Sequence, residues 1–124
     1  MSFTITTLSQ VREGSSILAS TNQYIVEANY KLAETIAANE VDKEIQFSIE
    51  LAKLKVFSIQ NTVDMTLKTN SSSTPQETFV LPSDRILIWQ EDDAAIFAGD
   101  ITTFFISNAT GDQGVFNCIA GLDN

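Results

Sequence analysis

The feature that most constrains this chain is an alternation of apolar and polar residues at period two. Ile45, Phe47 and Ile49 alternate with Glu44, Gln46, Ser48 and Glu50, the pattern of a half-buried strand. Leu54, Val56, Ser58 and Gln60 alternate with Lys55, Phe57 and Ile59, which predicts a strand apolar on both faces. Val63, Met65 and Leu67 alternate with Asp64, Thr66 and Lys68. Short runs at Phe79–Leu81, Ile86–Trp89, Ile101–Ser107 and Val115–Ala120 are rich in β-branched and aromatic residues. From Lys43 onward this makes seven candidate strands in about 80 residues.

Turn chemistry separates them. Gln60-Asn61-Thr62, the polar loop Thr69 to Pro75, and Leu81-Pro82-Ser83-Asp84 each stop a strand. Asn108 to Gly114 holds two glycines and reads as a hairpin connection. Regular short strands with such spacing predict an all-β fold, an antiparallel β-sandwich of jelly-roll or Ig-like type.

The first third is less regular. Tyr24 to Ala38 fits a strand, with Tyr24, Val26, Ala28, Tyr30 and Leu32 on one face. It also fits a helix, with Ile25, Ala28, Leu32 and Ile36 together. The need for sheet partners favours the strand. Phe3, Ile5 and Leu8 suggest an edge strand or an arm over residues 1–23, with a single sandwich domain over 24–124. The start lacks a basic segment and a continuous apolar core, so no signal peptide is read there. No run reaches the roughly 18 apolar residues of a membrane-spanning helix.

Charge and missing side chains narrow the chemistry. Sixteen acids face seven bases, a net charge of −9, which argues against nucleic acid and anionic lipid as partners. Four of the bases lie between Lys43 and Lys68. Histidine is absent, which removes imidazole as nucleophile activator, metal ligand and proton shuttle. Cys118 is the only cysteine, placed in an apolar strand and read as a core residue. The five glycines are scattered and form no phosphate loop. Neither catalysis nor a cofactor is expected.

Several groups have two readings. Glu91-Asp92-Asp93, with Asp100, offers oxygen ligands to calcium, but the spacing is not that of an EF-hand loop. A solvated acidic loop is the simpler account. Trp89 either plugs the end of the core or, with Tyr24 and Tyr30, stacks on a sugar ring; the apolar run leading into it favours the plug. Lys53 and Lys55 either protect a sheet edge or meet an acidic region of another copy. Phe57 and Phe105 fall out of phase with their strands, which suggests a face toward a second sheet or another subunit.

The order Val41-Asp42-Lys43-Glu44-Ile45, Leu51-Ala52-Lys53-Leu54-Lys55, Asp64 to Ser71, Pro75, Trp89, Asp100-Ile101-Thr102 and Ile106-Ser107-Asn108 resembles small β-sandwich virion proteins of tailed bacteriophages. The likeness covers roughly residues 40–120 and rests on strand and turn residues. It implies a capsid decoration (cement) protein on the virion surface, made in the host cytoplasm. Such a protein binds the major capsid protein and neighbouring copies, with a homo-oligomer expected and a trimer favoured. Phe3, Ile5 and Leu8 would then lie in an arm that adds a strand to a neighbour. The alternative is a carbohydrate- or receptor-binding module of a tail fibre, with Trp89 as platform.

Overall fold

The computed structural model describes residues 2–123. These residues form ten strands: β1 Phe3–Glu13, β2 Ser16–Val26, β3 Ala28–Ile36, β4 Lys43–Ile49, β5 Leu54–Asn61, β6 Met65–Thr69, β7 Thr78–Leu81, β8 Ile86–Gln90, β9 Ile101–Ser107 and β10 Gly114–Leu122. One 3-10 turn, Leu51–Lys53, precedes β5. The stretch with two readings, Tyr24 to Ala38, is mostly strand: its first three residues end β2 and Ala28–Ile36 is β3, with Glu27 between them and Ala37 and Ala38 past the end. No helix among the described residues is long and apolar enough to cross a membrane.

β1 and β2 form a two-stranded sheet of their own. The remaining eight strands make two four-stranded antiparallel sheets, in the orders β3-β10-β5-β8 and β4-β9-β6-β7. Of their successive connections only β6 to β7 stays within a sheet; every other one crosses from one sheet to the other. This is the strand order of an eight-stranded jelly roll, and it decides between the two sandwich types expected. It also corrects the connection at Asn108 to Gly114, which is a crossing and not a hairpin. Glycines and short polar residues let a chain turn, but they do not say which strand it pairs with afterwards.

The core lies between the two sheets. Phe104 stacks on Phe47 with ring centres 4.9 Å apart, and meets Phe57 and Phe116 edge-on at 6.3 and 6.2 Å. Phe97, on the long β8–β9 connection, meets Phe57 edge-on at 5.3 Å. Each such pair adds about 0.5–1.5 kcal/mol beyond the area it buries. Phe57 is therefore core and not an intersubunit contact: it is fully buried. Its strand reads as apolar on both faces because β5 is central, with one face on the core and the other covered at Val56. Phe57 and Ile59 face the second sheet, and Val56 faces a hairpin laid over the outside.

Asn108 ties together the end where β3 leaves for β4 and β9 for β10. It is fully buried, and its side-chain amide donates to the carbonyls of Ala37 at 3.1 Å and Asp112 at 2.8 Å. Its carbonyl accepts from the Thr110 backbone N–H at 3.0 Å and the Thr110 hydroxyl at 2.6 Å.

A projecting hairpin arm and the sheet face beneath it

The arm follows from two strand-forming runs joined by Gly14-Ser15. Gly14 takes φ +55, and Ser15 does not take a positive φ, the pattern of a type II′ turn. All eleven residues of β1 pair with β2, from Phe3 opposite Val26 to Glu13 opposite Ser16. The arm is thus a complete hairpin rather than a lone strand waiting for a partner.

Its base is fixed to the body. Gly121, on the outer face of β10, lacks a side chain where the hairpin passes. A Cβ there would lie 2.6 Å from Ile5 Cδ1, 2.8 Å from Val56 Cγ1 and 3.1 Å from Val26 Cγ1. Two residues further along each strand, the Thr7 and Tyr24 hydroxyls both donate to Gln90 Oε1, at 3.0 and 2.7 Å. Gln90 ends β8, the edge strand. The hairpin therefore runs across the sheet, over β10 and β5, and leaves at β8.

Beyond that edge none of the described residues covers it: from Leu8 to Gln23 every residue is exposed. Six residues per strand reach about 20 Å past the last hydrogen bond to the body. One face of the free part carries Val11 opposite Leu18, with Ser9, Glu13, Ser16 and Ser20, and continues the face that docks at the base. The opposite face carries Leu8, Gln10 and Arg12 with Ile17, Ala19 and Thr21. Leu18 is 75% exposed and Val11 69%.

The sheet face under the base stays open past the row the hairpin covers. Its outward residues are Lys31, Ala33 and Thr35 of β3, Val115, Asn117 and Ile119 of β10, Ser58 and Gln60 of β5, and Ile86 and Ile88 of β8. Small Ser58 on β5, between Ile119 and the β8 edge, and small Ala33 on β3 help to leave a shallow depression of about 350 Å³, which Ile86 and Ile119 also line. Lys31 is the single charge on this surface and makes no ion pair among the described residues. Cys118 lies beneath, 2% exposed, and burial pushes its thiol pKa up.

The acidic loop borders the base of the arm. Asp93 Oδ2 accepts the Gln90 backbone N–H at 2.9 Å, closing the turn after β8. Burial raises the Tyr24 pKa, and the charges of Asp92, Glu91 and Asp93 raise it further. Asp100 lies elsewhere, accepting the Leu51 N–H at 2.9 Å. Among the described residues no three His, Cys, Asp or Glu side chains converge as a metal site requires.

The other candidates scatter. Phe3 and Leu8 are on the arm, 37% and 64% exposed, while Ile5 is half-buried against the body. Lys53 sits in the 3-10 turn, not on an extended chain, and pairs with Glu50 at 3.1 Å. Lys55 pairs with Asp123 at 3.6 Å. Neither protects an edge, since β5 lies between β10 and β8. Phe105 is half-buried on the outer face of the other sheet, opposite Glu44 and Lys68. Trp89 points inward, packs on the core and donates its Nε1–H to the Ala94 carbonyl at 2.8 Å. With Tyr24 on the arm and Tyr30 against Phe47, the three rings share no face.

Val11, Ile17, Leu18, Lys31, Ile86 and Ile119 were not singled out by the sequence patterns above. Gly14-Ser15 between two β-prone runs is the signal that locates the hairpin. Which of its residues stay uncovered depends on where its base docks. No family model, curated protein or solved structure matches the chain.

Proposed function

We propose that this chain is a structural component of a particle, a capsid decoration protein of a tailed phage, which grips the capsid surface with its hairpin arm. One observation carries the reading: a hairpin of eleven-residue strands, fixed at its base and uncovered beyond, that exposes Leu8, Val11, Ile17 and Leu18. An isolated two-stranded hairpin is marginal in water, and branched apolar side chains on it gain little unless a partner covers them. Arm docking of this kind multiplied over a lattice yields strong attachment from weak single contacts.

The face with Leu8, Ile17 and Arg12 points away from the protein's own sheet and is assigned to the major capsid protein. The test is co-sedimentation of the purified chain with capsids of the phage that encodes it. Binding at saturating stoichiometry is expected, with at least a tenfold loss in Leu8→Asp/Ile17→Asp, whose fold is checked by circular dichroism. Failure of the unaltered chain to co-sediment, together with its absence from virions by mass spectrometry, overturns the assignment. The fibre-module alternative has less support, because Trp89 is turned to the core.

A further inference from the structure

We propose that the second face of the arm binds another copy of this chain, seating Val11 and Leu18 in the open depression between Ile86 and Ile119. Three observations point to that occupant. The first is continuity. At its base the arm already lies on the outer face of the β3-β10-β5-β8 sheet, with Ile5 and Val26 over Gly121 and Val56. The same hairpin face continues beyond β8 as Val11, Leu18 and serines. The same sheet face continues as Ala33, Ser58, Ile86, Ile88 and Ile119. A copy's own arm covers only the first row, so the depression is open to a neighbour's arm tip.

The second is the distribution of charge. Two chains of net charge −9 repel when brought together. Of the sixteen acids, only Glu13 precedes Glu27, and with Arg12 on the opposite face the arm carries no net charge. The open sheet face holds no acid among its outward strand residues. Arm and depression are thus the surfaces on which two copies can meet without juxtaposing like charges.

The third is complementarity of sign. Glu13 lies on the same arm face as Val11 and Leu18, while Arg12 lies on the opposite one. The one charged side chain on the sheet face is Lys31, which lines the depression. An apolar pair next to an acid meets an apolar trough next to a base. Because the contact joins two different surfaces, two copies satisfy it by exchanging arms about a two-fold axis, and more copies by closing head to tail into a ring.

The contact needs no capsid, so its test is separate from that of capsid binding. Light scattering of the full chain at micromolar concentration is expected to give a discrete multiple of 13.6 kDa. Under mild oxidation, an equimolar mixture of Leu18→Cys and Ile86→Cys chains is expected to form a disulfide-linked pair. Each variant alone is expected to form at least fivefold less. Glu13→Lys and Lys31→Glu, both at exposed positions, are each expected to weaken assembly on the order of fivefold, and mixing the two to restore it. A monomeric mass overturns the proposal. So does cross-linking of Leu18→Cys alone to the same extent as the mixture, which would make the contact arm to arm. An oligomer whose mixture gives no linked pair overturns it as well.

Discussion

Gly121→Ala tests whether the arm is seated as described. The added methyl would sit 2.6 Å from Ile5 Cδ1, 2.8 Å from Val56 Cγ1 and 3.1 Å from Val26 Cγ1. Ordinary carbon contacts lie at about 3.5–4.0 Å, so all three are too close. Ile5 Cδ1 ends a flexible side chain and swings aside at little cost. Val56 and Val26 cannot follow, because β-branched side chains are stiff at χ1 and both are buried, at 2% and 0% exposure. Lifting the arm relieves the Val26 contact, while Val56 must shift within its own sheet, and overpacking of this kind costs about 1–3 kcal/mol. For a chain of this length each kcal/mol lowers Tm by about 4 °C. Urea melts give the stability change, and amide exchange over residues 3–7 and 22–26 locates it. Val26→Ala, which removes the stiff arm contact, is expected to cost less in the Gly121→Ala chain than in the parent, a coupling between contacting sites. A Gly121→Ala chain within about 0.5 kcal/mol of the parent, with unchanged exchange at the arm base, would refute the seating.

Two further outcomes follow from buried and ionisable groups. Asn108→Ala removes the amide donor that joins the Ala37 and Asp112 carbonyls, each of which keeps one other donor, and removes the acceptor for Thr110, so a loss of about 1–3 kcal/mol is expected in urea melts, with faster exchange at Thr110 and Asp112. Tyr24 holds its proton more tightly when folded than when unfolded, because burial and then the charges of Asp92, Glu91 and Asp93 disfavour the phenolate. Its contribution is therefore complete below the unfolded value of 10.0 and is lost as pH rises through the folded one. Stability is expected to fall from the unfolded value up through the folded one, and Tyr24→Phe to flatten the dependence. An equal slope in both chains would show that Tyr24 is not its source.

The sandwich was legible because its strands are half-buried. Ile45, Phe47 and Ile49 alternate with polar residues that face solvent, and a period of two survives wherever one face is wet. The pattern blurs where both faces are covered. Val56 and Phe57 are buried on opposite sides of β5, one by the arm and one by the core, so Phe57 looks out of phase while sitting in the middle of the protein. Lys53 and Lys55 misled for a related reason. A two-residue spacing says that side chains share a face only if the backbone is extended, and Lys53 lies in a 3-10 turn.

By itself, then, the sequence determined an antiparallel sandwich with a differently patterned N-terminal segment, because alternation, β-branching and turn residues act over a few neighbours. Tertiary structure alone decided the order of the strands in the two sheets, since the same turn residues serve a hairpin and a crossing. It also decided which apolar residues are surplus. Leu18 and Val26 stand in the same β2 strand, yet one is 75% exposed and the other fully buried. The difference is the absence of a side chain at Gly121, nearly a hundred residues away in the chain. That gap seats the base of the arm and leaves its outer half in solvent.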